Sequence, residues 1–147
     1  RREIPDISLT TDIIVGFPGE TDEDFEETLD VVRKVHYDNA YTFIYSRRTG
    51  TPAASMENQV SEADNKVRFD KLLKLVQDCA REQTARYTGT VQEVLIEEVN
   101  DHRPGYVTGR MSNNLLVHFP GEASQIGQYV NVSLDECKGF YFMGTIV

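Results

Sequence analysis

Residues 8–21 read Ser8-Leu9-Thr10-Thr11-Asp12-Ile13-Ile14-Val15-Gly16-Phe17-Pro18-Gly19-Glu20-Thr21. The second half of residues 8–15 is β-branched and apolar, which is typical of a strand buried on both faces of a parallel sheet. Two glycines and a proline then break the strand at residues 16–19. Thr21 can cap a following helix, because Asp24 stands three residues later and the pair can form a capping box. The stretch therefore predicts a strand, a tight turn and the start of a helix.

The residues that follow complete a strand-helix-strand unit. The predicted helix has an inward apolar stripe, and Tyr37-Asp38-Asn39 is expected to end it. Alternating apolar residues from Ala40 to Tyr45 then predict a second strand. Such units belong to α/β sheets or barrels, and one unit cannot close a barrel. We therefore expect the terminal βαβ portion of a partial TIM-like barrel. The inward stripe consists of Phe25, Leu29 and Val32.

A second, longer helix is predicted after the loop of residues 46–52. Ser61 and Asp64 have capping-box spacing, and the helical pattern runs to about Tyr87. The helix is expected to pack on the βαβ unit and to link it to the last part of the chain. Its predicted buried face, at helical spacing, consists of Val67, Phe69, Leu72, Leu73, Val76, Cys79 and Ala80.

The last part of the chain has a different pattern, which begins at Gly89. β-branched and aromatic runs alternate with turn pairs such as Asn100-Asp101 and Pro104-Gly105. Five short strands in about sixty residues indicate a small closed barrel, because closure removes exposed edges. The expected fold is therefore α/β plus all-β. Residues 1–83 would be the barrel portion with its linking helix, and residues 84–147 a five-stranded antiparallel OB-like barrel.

Charge and cysteine content limit the possible functions. The chain carries a net charge of −9, and acidic proteins repel phosphate backbones unless their cations cluster. Residues 84–147 hold four basic and seven acidic side chains, a net −3, so RNA binding by this part alone should be weak. Cys79 and Cys137 stand 58 positions apart, a spacing typical of neither disulfide frameworks nor metal sites. Two buried structural thiols are therefore expected, and no metal ligand is predicted.

The ends and hydropathy of the sequence favour a cytoplasmic piece of a longer protein. No run of about 18 apolar residues is long enough to span a bilayer, and Arg1-Arg2-Glu3 does not lead into a signal-peptide core. No membrane partner is therefore expected. The chain begins without Met in the run-up to an apolar segment, which we interpret as truncation.

Two motifs carry a family resemblance. Residues Thr11 to Thr21 and Tyr45 to Ala54 resemble the methylthiotransferase branch of the radical S-adenosylmethionine enzymes. Ile14, Gly16 and Glu20 match the family motif Gly-x-Ile-x-Gly-x-x-x-Glu, whereas Asp12 replaces its first glycine. The resemblance implies that Ile14, Gly16 and Glu20 bind the cofactor, with Ile14 near the adenine. A plain strand-to-helix turn would explain the same glycines without a ligand.

The same resemblance assigns a role to Arg48. It falls in the loop after the last barrel strand, where the family has an arginine directed at the active-site mouth. A guanidinium can bind a carboxylate or phosphate with two hydrogen bonds. The alternative for Arg47 and Arg48 is a pair of solvated surface cations.

The resemblance also implies cofactors that this chain cannot hold alone. The intact enzyme would use S-adenosyl-L-methionine and two 4Fe-4S clusters, each held by three cysteines, and this sequence has only two. We therefore assign no catalytic residue. We expect the piece to bind none of these cofactors strongly, to be inactive by itself, and to need the N-terminal part of the same chain.

The second half carries a separate resemblance. Gly109-Arg110-Met111-Ser112-Asn113-Asn114, followed by an alternating strand, resembles the TRAM domain, an OB-like barrel attached to RNA-modifying enzymes. An arginine and two amides at a turn can contact phosphates and base edges, and an imidazole can stack on unpaired bases. Arg110, Asn113, Asn114 and His118 are therefore the predicted RNA-binding residues. A left-handed turn at Asn113-Asn114 and a hydrogen-bonded strand histidine are the alternatives.

Taken together, the two resemblances predict a C-terminal fragment of a bacterial tRNA-modifying methylthiotransferase. Its motifs look most like those of enzymes that 2-methylthiolate N6-isopentenyladenosine beside the anticodon, so the predicted partner is the tRNA anticodon stem-loop. Action on threonylcarbamoyladenosine or on a ribosomal protein are alternatives. A free-standing RNA-binding module is another, although the βαβ unit argues against it. The sequence leaves open the exact nucleoside, the oligomeric state, the sulfur donor and the stability of a truncated barrel.

Overall fold

The structure, a computed structural model, describes residues 2–147. The chain divides into two compact units between Ala80 and Arg81, within the second helix. Two short 3-10 helices, Pro52–Ser55 and Ala123–Gln125, lie between the longer elements. In chain order the strands and α-helices are β1 (Thr10–Val15), α1 (Asp22–Val35), β2 (Asn39–Ile44), α2 (Glu62–Ala85), β3 (Val91–Val99), β4 (Tyr106–Met111), β5 (Leu116–Pro120), β6 (Tyr129–Cys137) and β7 (Tyr141–Ile146).

The first unit contains the predicted strand-helix-strand arrangement. β1 and β2 pair in parallel, with Ile14 opposite Phe43, and form a two-stranded sheet. The capping box is confirmed, because the Asp24 main-chain N–H donates to Thr21 Oγ1 and the Thr21 N–H donates to the Asp24 carboxylate. The helix ends at Val35, two residues before the predicted stop, and the left-handed backbone of the capping residue His36 (φ 55°) lets the His36 N–H reach the carbonyl of Val32.

Apolar residues from β1, α1, β2 and α2 form the core of this unit. The predicted stripe of α1 is confirmed, since Phe25, Leu29 and Val32 are all buried. The prediction that Val67 belongs to the buried face of α2 was wrong, because Val67 is 55% exposed. Its neighbour Arg68 is buried instead, since a polar side chain there finds partners that hydropathy cannot reveal.

The cap of α2 agrees with the prediction. Ser61 Oγ accepts from the main-chain N–H of Asp64 at 3.1 Å and donates to the Asp64 carboxylate at 2.7 Å. The helix ends at Ala85, two residues before the predicted position, and a turn follows.

The second unit is a closed barrel with the strand order β3-β4-β5-β7-β6, in which β6 pairs with β3 to close the ring. Four seams are antiparallel, whereas β5 and β7 run parallel, with Val117 opposite Phe142. The prediction of an antiparallel barrel is corrected at this seam. Strand directions cannot alternate all the way around a ring with an odd number of strands, so a five-stranded barrel needs at least one parallel seam.

Alternation along the strands separates the barrel core from its outer face. Val107 and Phe119 point inward opposite each other, and position 109 is glycine because an added Cβ there would stand 2.4 Å from Val94 Cγ1. The residues between these positions face outward. Cross-strand register brings Thr108 beside His118 on this outer face, and it brings the pairs Arg110–Leu116 and Leu116–Tyr141 into register as well.

Candidate cofactor groove and nucleic-acid interface

The turn after β1 can be occupied only by glycine at position 16. Gly16 has a φ of +77°, and a Cβ there would stand 1.7 Å from Asn65 Oδ1. Its N–H donates to Glu20 Oε2 at 2.9 Å, so the motif residues Gly16 and Glu20 contact each other across the turn. Left-handed backbone and lack of space both exclude larger side chains.

Arg68 of α2 holds the same turn from the other side. Its guanidinium donates to Glu20 Oε1 at 2.7 Å, to the Glu20 main-chain carbonyl at 3.1 Å and to Asp22 Oδ1 at 2.8 Å. The side chains of Arg68 and Glu20 are only 10% and 13% exposed. Burial lowers the pKa of Arg68, but the hydrogen bonds to Asp22 and Glu20 outweigh it and raise the pKa above its ordinary value. Both carboxylate oxygens of Glu20 are therefore engaged within the protein.

A groove of about 630 Å³ lies beside the outer face of β1 and β2. Ile14 and Phe43 are each about half exposed there, and Arg48 is the one charged residue of the lining. Within the described chain Arg48 has no ion pair, whereas Arg47 donates to the main-chain carbonyl of Ala54 at 2.6 Å. The structure thus brings Ile14 and Arg48 into one groove, while Gly16 and Glu20 support the adjacent turn and do not line it.

The chemistry of this groove fits part of S-adenosyl-L-methionine. Its apolar wall suits an adenine ring, and a guanidinium suits the carboxylate of the methionine moiety. Tyr45 adds a buried hydroxyl for which residues 2–147 supply no hydrogen-bond partner. Ile14, Arg48 and Tyr45 are therefore the residues of this unit that could contact the cofactor.

The thiols do not fit an iron-sulfur cluster. Cys79 is buried as predicted and Cys137 is half-buried, and neither forms a disulfide. Across residues 2–147 no three His, Cys, Asp or Glu side chains cluster as metal ligands. A cluster of this kind needs three thiolates, so its ligands would come from residues outside this sequence.

On the barrel, Arg110 is already paired. Its Nε lies 3.0 and 3.1 Å from the two carboxylate oxygens of Glu97, and one terminal nitrogen donates to the Asn114 carbonyl at 3.1 Å. Asn114 has a left-handed backbone (φ 68°), and Asn113 Oδ1 accepts from the N–H of Leu115 at 3.1 Å. The Asn113 amide therefore has a local turn role, and Asn114 supplies the left-handed backbone of the turn.

His118 lies in a different part of the barrel surface. Its Nδ1 is 3.0 Å from both Asn100 Nδ2 and Thr108 Oγ1, and its ring meets Tyr141 edge-to-face at 4.9 Å. Burial lowers the pKa of His118, while the Glu98 carboxylate opposes the shift. Burial therefore favours the neutral form of the imidazole at pH 7.

The four predicted RNA-binding residues fall into two places. His118 lines a groove of about 460 Å³ with Arg103 and Tyr141, whereas Arg110 and Asn114 line a separate depression of about 410 Å³. The sequence did not show that Asn100, Arg103 and Tyr141 lie beside His118 in this groove. From the sequence, Asn100 was interpreted only as a turn residue and Arg103 was counted only as one of the basic side chains. The polar loop before β4, which contains both residues, was the sequence feature that could have indicated a binding site.

Comparison with known proteins identifies the barrel. The model of the TRAM domain family matches residues 85–147. The predicted resemblance of the second half of the chain is thereby confirmed, and the TRAM domain contains all five strands of the barrel.

The similarity to two synthases covers nearly the whole of this chain, including the first unit. The chain is 58% identical over 144 residues to a tRNA-2-methylthio-N(6)-dimethylallyladenosine synthase from Lachnoclostridium phytofermentans, covering 98% of this chain and 32% of the relative. A synthase of the same name from Acetivibrio thermocellus is 51% identical over 147 residues, 100% of this chain and 31% of the relative. The chain thus spans about a third of the length of these relatives, which is consistent with a fragment of such a synthase.

Neither helix of residues 2–147 combines the length and apolar character that crossing a bilayer requires.

Proposed function

We propose that this chain is the C-terminal part of a cytoplasmic tRNA methylthiotransferase that converts N6-isopentenyladenosine, also named dimethylallyladenosine, to its 2-methylthio form beside the anticodon. The observation that supports this most is identity of 49–58% across 98–100% of the chain to three synthases named for that nucleoside. Identity at this level extends over both units, so the two are proposed to act in one enzyme. The relatives are about three times longer, and the remaining machinery would lie in the part of the protein that this sequence does not contain.

For the first unit we propose a part of the S-adenosyl-L-methionine site. Ile14 would lie against the adenine and Arg48 would bind the carboxylate, while Gly16 and Glu20 would act indirectly by fixing the turn after β1. When bound, the cofactor and two 4Fe-4S clusters would supply the radical and sulfur-transfer chemistry. The support is the groove that Ile14 and Arg48 share.

For the TRAM domain we propose binding of the tRNA anticodon stem-loop. The proposed contacts include Arg110, Asn113, Asn114 and His118. Arg110 lies against the Glu97 carboxylate, so binding to phosphate would have to compete with this ion pair. Affinity of this part alone is therefore expected to be modest and strongly dependent on salt.

The test is a binding titration of the 147-residue chain at low and moderate salt with an anticodon stem-loop that carries isopentenyladenosine. A scrambled hairpin, a stem-loop with threonylcarbamoyladenosine and Arg110→Ala serve as controls. We expect salt-sensitive binding that prefers the first RNA and that Arg110→Ala weakens. Absence of binding at low salt would count against the tRNA role and would favour a protein substrate.

A second measurement tests the enzymatic part of the proposal. The longer natural protein, reconstituted with iron and sulfide, should methylthiolate isopentenyladenosine-containing tRNA, and mass spectrometry of its nucleosides would detect the product. The 147-residue chain should show no activity in the same assay. Activity of the longer protein on threonylcarbamoyladenosine alone would replace the proposed substrate.

A further inference from the structure

The groove beside His118 has no assigned occupant. We propose that it binds one unpaired nucleotide of an RNA loop, with His118 Nε2–H as hydrogen-bond donor, Tyr141 as stacking surface and Arg103 as phosphate contact. This inference rests on the proposed tRNA-binding role of the TRAM domain and adds the place and the kind of contact. Four observations carry it.

The first observation fixes the imidazole tautomer. Asn100 Oδ1 accepts from the His102 main-chain N–H at 3.0 Å, so the other end of the amide, its NH₂ group, faces His118. That NH₂ group lies 3.0 Å from His118 Nδ1 and can only donate, so Nδ1 must accept. A neutral imidazole that accepts at Nδ1 carries its hydrogen at Nε2. Residues 2–147 offer no partner to Nε2, which leaves this donor available to a ligand.

The second observation is the presence of flat ring and guanidinium surfaces around the groove. Tyr141 forms one wall and is held edge-to-face by His118. The Arg103 guanidinium lies 4.0 Å from the centre of the Tyr106 ring, an arrangement that holds the cation in a fixed place. Aromatic and guanidinium planes are the surfaces on which proteins stack unpaired bases. A groove of about 460 Å³ is in the size range of small-ligand sites.

The third observation concerns charge. Arg103 has no ion pair among the described residues, in contrast to Arg110 with its Glu97 partner. A hydrogen bond to Glu136 raises the pKa of Lys138, and the nearby charge of Arg103 acts against that rise, which places the two cations near each other. An unpaired cation with a second one nearby is a suitable contact for a phosphate. Glu98 and Asp101 also line the groove, so the attraction is local and not a broad basic surface.

The fourth observation is the position of the groove in the barrel. OB-type barrels bind oligonucleotides on the face of their second and third strands, flanked by the loops between strands 1 and 2 and between strands 4 and 5. Here those strands are β4 and β5, and the loops are residues 100–105 and 138–140. The groove lies on this face and includes the first loop. Phe140, in the second loop, is 57% exposed.

The experiment uses the whole chain and an anticodon stem-loop with 2-aminopurine at one loop position, read by fluorescence quenching and by affinity. Tyr141→Leu should weaken binding about 5- to 150-fold, as expected for loss of one stacked base, and should abolish the quenching. His118→Phe keeps a ring but removes the donor and should also weaken binding. Arg103→Gln should reduce the slope of log affinity against log salt by about 0.7 to 0.9.

Tyr129→Leu is the matched comparison, because Tyr129 is a 66% exposed aromatic that lines the other depression. It should weaken binding less than Tyr141→Leu does. The groove assignment is overturned if the wild type binds RNA while the Tyr141, His118 and Arg103 variants bind equally well; the proposed tRNA role would then stand. Absence of binding by the wild type would instead remove the proposed role itself and the groove assignment with it.

Circular dichroism identifies variants that fail to fold. If the variants do not fold, NMR titration of the wild type alone tests the groove assignment. NMR titration of the wild type with the stem-loop should shift amide signals at residues 100–105 and around His118 and Tyr141. Shifts confined to the surroundings of Arg110 and Tyr129 would overturn the groove assignment. If RNA shifts none of the amide signals of the groove residues, the groove assignment is overturned as well, and a peptide occupant is favoured.

Discussion

Arg68 donates two hydrogen bonds to Glu20, one to its carboxylate at 2.7 Å and one to its main-chain carbonyl at 3.1 Å. The two side chains lie 48 positions apart in sequence and are almost completely buried. Removing one member of a buried ion pair leaves the other charge without compensation. We therefore predict that Arg68→Met lowers the free energy of unfolding of the first unit by about 3 kcal/mol. Hydrogen exchange of the amides of β1 and α1 would measure this separately from the barrel.

Lys34→Met provides the control for that substitution. Lys34 pairs with Asp30 on the exposed surface of α1, where an ion pair contributes at most about 1 kcal/mol. A loss for Arg68→Met no larger than that for Lys34→Met would contradict a stabilising role of the buried pair.

Gly16 and Gly19 allow steric overlap to be separated from backbone strain. Both have positive φ, but a Cβ at Gly16 would overlap Asn65 Oδ1, whereas one at Gly19 meets no atom within 4 Å. Gly19→Ala should cost about 1 to 2 kcal/mol for the left-handed backbone alone. Gly16→Ala should cost a further 1 to 3 kcal/mol or so, because Asn65 must move. Thermal unfolding of the two variants would measure the difference, and equal losses would show that Asn65 moves without cost.

The lowered pKa of His118 predicts how the stability of the barrel depends on pH. Well above pH 6.5, the ordinary pKa, the imidazole is neutral in both the folded and the unfolded chain. As pH falls below 6.5, His118 is protonated in the unfolded chain before it is protonated in the folded chain. The free energy of unfolding therefore decreases until the pH is below the folded-state pKa, where both states bind the proton. The neighbouring Glu98 carboxylate opposes the shift and narrows this window.

Urea unfolding of the whole chain between pH 8 and pH 5 would test this, with the barrel amides as probe. His118→Phe should make the dependence shallower. A wild-type chain that is equally stable at both ends of the range would contradict the burial of a neutral imidazole.

Glu97 is predicted to oppose RNA binding, because its carboxylate occupies Arg110 through contacts of 3.0 and 3.1 Å. Glu97→Gln removes a negative charge and frees the guanidinium for phosphate. We expect higher affinity for the anticodon stem-loop and a salt slope that is steeper by about one phosphate contact. The double substitution Glu97→Gln with Arg110→Ala should lose the gain in slope; if it keeps that gain, Arg110 is not the group that contacts phosphate.

Local features of this protein could be derived from its sequence. The capping box at Thr21 and the side-chain cap at Ser61 involve residues only three positions apart, so spacing alone located the starts of both helices. The stripe of Phe25, Leu29 and Val32 followed from helical periodicity in the same way. Five barrel strands were likewise evident from alternation and turn residues, and an odd strand count would have indicated a parallel seam.

Features that join distant segments could not be derived. Val67 was placed in the core and Arg68 was not, because hydropathy ignores the carboxylates that compensate a buried cation. His118 was singled out by its motif, but the sequence did not show that Asn100 would orient it from 18 positions away.

The sequence by itself therefore determined the elements of this protein and the resemblance of both halves to known families, since those depend on near neighbours and on motif spelling. Only the tertiary structure decided which charged and polar groups are engaged. In the folded chain both carboxylate oxygens of Glu20 accept hydrogen bonds within the protein, and Arg110 pairs with Glu97. His118 Nε2 and the Arg103 guanidinium remain available to a ligand. The physical reason is that hydrogen bonds and ion pairs act over a few ångströms in space, whatever the separation along the chain.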